Sequence, residues 1–201
     1  MQDNINSSKK LNGKDLINTG IFTAIYLTLT MAVACTIGML PLGYVLLSFI
    51  VPFIGGIPMM LFFSKIKKFG MLMIFQIVFG VVMILTGMGY DLLIWGIITG
   101  LIAELILKAS RYQKSSACIL AYAVSCISVA GNYVHWLSAS EEWITSKAAS
   151  YGELFMNSIK GYFDMWWVFP LLVVFCFIGG LLGGLLGKAV LKKHFIKSGL
   201  I

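Results

Sequence analysis

Long apolar runs separated by short polar punctuation set the organisation of this chain, and the last of them is the clearest. FDMWWVFPLLVVFCFIGGLLGGLLGKAVLKK, residues 163–193, carries no charge from Met165 to Gly187. That length matches the roughly 20 residues a helix needs to cross a bilayer. Five further runs read the same way, predicting helices over residues 16–40, 44–63, 70–86, 91–108, 115–136 and 163–190. A polar tail, 1–15, precedes them and is expected to be disordered. A short tail, 194–201, follows, and the one long loop, 137–162, is expected to be partly helical and to act as a lid. The class implied is all-α: a single polytopic domain, residues 16–193, of six transmembrane helices.

Within the runs, small and polar residues recur at helical spacing. Gly179, Gly183 and Gly187, with Gly180 and Gly184, give the last helix a stripe without side chains, suited to close helix packing. Gly20, Ala24, Thr28 and Ala32 place small residues on one face of the first helix, read equally as a docking surface or as ordinary packing within the chain. Pro52 and Pro58 predict a kinked or locally unwound second helix. Gln76 is expected to make an interhelical hydrogen bond, Asp91 to cap the fourth helix, and Glu104 to pair with Lys108 four residues on. Ser125, Ser128, Asn132 and His135 draw a polar line up the fifth helix when read at α-helical period, pointing at a cavity.

Composition agrees: 59% of the 201 residues are hydrophobic and the mean hydropathy is +0.93. The net charge of +7 would suit nucleic acid, but the positive residues lie between apolar runs. Of the 15 lysines and arginines, all but Lys147 and Lys160 fall in the two tails and the two loops that six helices put on one side. The positive-inside bias makes both termini cytoplasmic and excludes a nucleic-acid role from the reading. Asp91, Glu141, Glu142, Glu153 and Asp164 fall on the opposite, outer side. Cys35, Cys118, Cys126 and Cys176 lie in apolar runs without metal-type spacing, so no metal or cofactor is expected.

No Walker A loop, nucleotide-binding glycine pattern, H-E-x-x-H or nucleophile elbow is present. What remains is an outer concentration of aromatic and hydrogen-bonding residues: Tyr90, Asp91, Trp95, Asn132, His135, Trp136, Trp143, Phe163, Asp164 and Trp166. Aromatic walls with a few polar groups suit a small-molecule pocket, and an interfacial aromatic belt is the competing account. The few charges there are acidic, favouring a neutral or cationic aromatic ligand. His135, Tyr90 and the 11 methionines leave haem as a remote option. Two other functions fit: a membrane enzyme using His135 with Asp91 or Glu141, and a ligand-free structural subunit.

The start, LNGKDLINTGIFTAIY, the six-helix layout, and the end, GGLLGGLLGKAVLKKHFIKSGL, resemble the substrate-binding (S) components of energy-coupling factor (ECF) transporters, most closely the MptD/Trep_Strep group. The resemblance implies a bacterial plasma-membrane subunit of an ABC-type importer without ATPase activity of its own. It would capture a vitamin-like micronutrient at the outer ends of helices four to six, with the first outer loop as gate. It would dock on a transmembrane coupling protein carrying two ATPases through an A-x-x-x-A pattern on helix one. The matching stretch here starts with glycine, at Gly20 and Ala24, with Thr28 and Ala32 continuing the face.

Overall fold

The structure, a computed structural model, describes residues 11–87 and 89–192. The tail expectations for residues 1–10 and 194–201 lie outside them. The helices are α1 (Gly13–Thr36), α2 (Pro41–Lys65), α3 (Met71–Leu85), α4 (Asp91–Ala109), α5 (Ser115–Cys126), α6 (Glu141–Tyr151), α7 (Glu153–Phe163) and α8 (Val168–Val190). A 3-10 segment, Ile127–Ser138, continues α5. Five stretches are long and apolar enough to cross a membrane: α1, α2, α4, α5 with its 3-10 continuation, and α8; α3 is a shorter apolar helix.

Local chemistry explains where the helices begin. Residues 12–15, expected in a disordered tail, form the first turn of α1. Asn12 Oδ1 accepts from the Asp15 amide and Asp15 Oδ2 from the Asn12 amide, both at 3.0 Å, a reciprocal capping box. Asp15 also takes a 2.6 Å ion pair from Lys68, tying α1 to the loop before α3. Pro41 stands at the first position of α2, where its missing N–H costs nothing. α2 stays helical through Pro52 and Pro58, so neither proline unwinds it. Asp91 is the first residue of α4 rather than its cap, and its side chain makes no capping bond.

The core is organised by backbone proximity. α8 makes its most extensive contact with α2, and its glycines are the reason. A Cβ on Gly179 would lie 2.6 Å from the Phe49 carbonyl oxygen, and one on Gly183 2.5 Å from the Pro52 and Phe53 carbonyl oxygens. Gly56 of α2 meets Gly183 backbone to backbone, and Gly187 meets Gly56. On the adjoining face Gly180 packs on Ala123 and Cys126, and Gly184 on Ile119, so α5 occupies the second groove. Tyr122 of α5 is fully buried and donates to the Pro52 carbonyl at 2.6 Å. All five glycines are used inside the chain.

α1 is attached differently. Thr19, Thr23, Tyr26 and Thr30 face inward. The three threonine hydroxyls donate to carbonyls one turn back on their own helix, at 2.8 to 2.9 Å, so they enter the core without needing partners. Gly20, Ala24, Thr28 and Ala32 are all exposed. Packing within the chain, one of the two readings of that face, is therefore not what the structure shows.

Candidate functional site

Two polar arrangements stand at opposite ends of the bundle. The end formed by residues 37–40, 86–87, 89–90 and 137–167 carries the aromatics. Tyr44, at the start of α2, is their hub: its ring meets Tyr133 at 5.2 Å, Phe155 at 5.8 Å and Trp136 at 6.3 Å, all edge-on. Trp136 Nε1 donates to the Tyr44 hydroxyl at 3.2 Å, and the Tyr133 hydroxyl to the Tyr44 carbonyl at 2.8 Å. Phe163 stacks on Tyr133 and Trp136 at 6.0 and 6.1 Å. Trp143 of α6 stands perpendicular to Trp136 at 5.1 Å and covers His135 at the same separation. The expected loop 137–162 is thus two helices, α6 and α7, joined at Gly152 (φ +88°). Ser140 caps α6, the amphipathic α7 turns Met156, Ile159 and Phe163 inward, and Lys160 pairs with Glu141 across the hairpin.

The structure brings together only part of the residues picked from sequence. His135, Trp136 and Phe163 belong to the cluster, with Tyr44, Tyr133 and Phe155 filling the space among them. Trp95 of α4 meets the margin of the cluster through Phe169, at 5.9 Å, and Asn132 is half-buried. Tyr90 and Trp166 are 69% and 84% exposed, and Asp164 is exposed beside Trp166, so these three stand apart from the enclosed rings. Such exposure is what an aromatic belt at an interface gives. Among the described residues no hydrogen bond joins His135 to Asp91 or Glu141, and no cluster of His, Cys, Asp and Glu could hold a metal.

The polar line of the fifth helix is divided for a definite reason. From Ile127 the backbone is 3-10, so side chains repeat every three residues. Ala130, Tyr133 and Trp136 form the buried face, while Asn132 and His135 share another. Ser125 and Ser128 remain in the middle of the bundle, lining an enclosed cavity of about 10 Å³ with Tyr26, Gln76 and Tyr122. Gln76 Nε2 donates across to the Ser125 carbonyl at 3.0 Å. Tyr133 escaped sequence reading because an α-helical wheel puts it off the polar line; a period of three would have found it.

At the opposite, basic end Glu104 makes no pair with Lys108. Its carboxylate is fully buried and accepts from the Gly70 amide at 2.9 Å, the Leu72 amide at 3.0 Å and the Tyr112 hydroxyl at 2.8 Å. It supplies acceptors for the otherwise open amides at the start of α3. Lys108 lies over the Phe69 ring at 4.9 Å instead. The loop after α4 reaches Glu104 through two successive left-handed residues, Arg111 (φ 52°) and Tyr112 (φ 58°). Their amides bond to the Lys108 and Leu107 carbonyls, both at 3.0 Å, closing a Schellman end on α4. Burial, and then the facing carboxylate, push the Tyr112 phenol well above its ordinary pKa.

Beside the exposed small residues of α1 runs an open apolar groove of about 470 Å³, lined by Leu27, Thr28, Met31, Ala32, Cys35, Val82 and Thr86. Residues 13–197 match Trep_Strep, described as a hypothetical bacterial integral membrane protein. The chain belongs to the Trep_Strep family. It is accordingly a multi-pass bacterial membrane protein, and the helices that are long and apolar enough to span are those already described. No curated protein and no solved structure matches this Trep_Strep chain.

Proposed function

We propose that this Trep_Strep protein is the substrate-binding subunit of an ECF-type importer. In this reading α3 is the sixth span, both termini are cytoplasmic, and the aromatic end faces outward in the bacterial plasma membrane. A vitamin-like or aromatic molecule is captured among Tyr44, Tyr133, His135, Trp136 and Trp143 beneath the α6–α7 hairpin. Release inward follows docking on a coupling protein with two ATPases.

The observation that carries the reading is the contrast between two sets of small residues. The α8 glycines are spent on α2 and α5, whereas Gly20, Ala24, Thr28 and Ala32 are left uncovered beside an apolar groove. Small residues on a membrane helix let a second helix backbone approach, and among the described residues no other helix of the chain covers these four. The ring cluster supports the ligand half by its chemistry, apolar aromatic walls with few polar groups, which is what a small-molecule pocket requires.

Coexpression with a coupling protein and its ATPases, followed by native mass spectrometry, tests the proposal. A four-subunit assembly carrying a small bound mass is expected. Ala24→Leu is expected to abolish the assembly while leaving the bound mass on the isolated subunit, and His135→Ala with Trp136→Ala to do the reverse. A chain that never joins the coupling protein, or an Ala24→Leu variant that assembles normally, refutes the docking face.

A further inference from the structure

The longest irregularity in the bundle is the change from α to 3-10 winding at Ile127, in the middle of what would otherwise be one membrane-crossing helix, Ser115–Ser138. Runs of 3-10 helix beyond three or four residues are uncommon, because their hydrogen bonds are poorer and side chains at i and i+3 eclipse. This one extends for 12 residues. Two independent contacts hold it. At the junction the Ser125 carbonyl, which also takes the Ile127 amide of its own helix, accepts from Gln76 Nε2 of α3 at 3.0 Å, a side-chain tether across the bundle at the point where the winding changes. Further along, Gly131 lies against the α4 backbone so closely that a Cβ would meet Leu92 Cα at 2.8 Å and the Asp91 carbonyl oxygen at 3.0 Å. A small cavity of about 10 Å³ borders the same junction, at Ser125, Cys126, Ser128 and Val129.

We infer that Ile127–Ser138 is a switch between 3-10 and α winding that opens and closes the aromatic site. The geometry sets its stroke. At about 2.0 Å rise per residue against 1.5 Å, rewinding to α shortens the segment by roughly 6 Å. The per-residue rotation falls from about 120° to 100°, so by Trp136 the difference has accumulated to roughly half a turn. Trp136 leaves Tyr44, Phe163 and Trp143, while Ala139 and Ser140 pull α6 after them. The Ser125 carbonyl then takes the Val129 amide in place of its present backbone donor. The inference deepens the proposed ligand site by supplying its gate, and it rests on that reading for its purpose but not for its test.

The test is a spin-label distance between Leu137→Cys and Leu85→Cys, two exposed positions at the aromatic end, in the full chain in nanodiscs. Cys35 and Cys118 are replaced by serine; Cys126 and Cys176 are buried. Gln76→Leu removes the junction bond and Gly131→Ala the close approach to α4. Each is expected to move the distance by about 4 to 6 Å, as the change in rise requires. An unchanged distance in both folded variants overturns the switch. If neither variant folds, the same label pair in the otherwise wild-type chain decides: two distance populations about 4 to 6 Å apart support the switch, and a single population overturns it. No ligand or coupling protein enters the measurement, so its failure leaves the transport reading standing, and loss of ligand binding leaves the switch standing.

Discussion

Glu104 offers the sharpest test of the physical reasoning. Its carboxylate is buried and faces three donors, the amides of Gly70 and Leu72 and the Tyr112 hydroxyl, at 2.8 to 3.0 Å. Glu104→Ala strands all three. A buried donor without a partner costs about 1–3 kcal/mol, and partial relaxation brings the sum to roughly 4 kcal/mol. Glu104→Gln keeps the shape but turns an NH₂ toward one of the donors, an expected loss of about 2 kcal/mol. For a chain of this size 1 kcal/mol moves the melting midpoint by roughly 2–4 °C, so alanine should lower it by about 8–16 °C and glutamine by about half of that. Lys108→Ala, which removes only a cation–π contact worth about 0.5–1 kcal/mol, should shift it by no more than about 4 °C. Thermal unfolding of the three variants in one detergent, followed by tryptophan fluorescence, gives the ranking. If Lys108→Ala destabilises as much as Glu104→Ala, the carboxylate acts as half of an ion pair and the account of α3 capping is wrong.

The other predictions concern the glycine seam and the Tyr112 phenol. Gly183→Ala puts a methyl into the Pro52 and Phe53 carbonyls and should sharply reduce the yield of folded protein, whereas Gly20→Ala, with nothing within 4 Å of the added carbon, should keep the yield and raise the melting midpoint by up to about 4 °C through helix propensity. Fluorescence-detected gel filtration separates the two. The folded-state pKa of Tyr112 lies above its ordinary value of 10.0, so the folded state holds its proton after the unfolded state has lost it. Its contribution is full below pH 10 and declines as pH rises beyond it. Tyr112→Phe should flatten the alkaline fall in stability, and an unaltered slope between about pH 10 and 11 would contradict the contact with Glu104.

How much could be read beforehand varied with the kind of contact involved. The α8 comb was legible because a side-chain-free stripe at four-residue spacing admits a neighbouring backbone, and run length located five helices long and apolar enough to span, while the sixth expected span is the shorter α3. Contacts that join distant parts of the chain were not. Nothing near Glu104 in sequence announces that its partners are the amides of Gly70 and Leu72, and the neighbouring Lys108 suggested a more obvious partner. The inner face of α1 was misleading in another way: its threonines satisfy themselves, so polar residues point in and the small residues point out. The aromatic site was half legible. Its rings were visible as types, but an assumed period of 3.6 put Tyr133 on the wrong face, and Tyr44 arrives from α2, a helix outside the fourth-to-sixth group in which the site was expected.

The glycine seam between α2 and α8 also bears on how the protein is made. Its two halves are separated by the whole middle of the chain, residues 66–167, so α2 enters the membrane with Pro52 and Gly56 facing lipid or the insertion machinery until the last helix emerges. Assembly is then closed by the final span rather than grown outward from the first. A ribosome stall or truncation before residue 168 leaves a bundle with its deepest groove open, a natural target for membrane quality-control proteases.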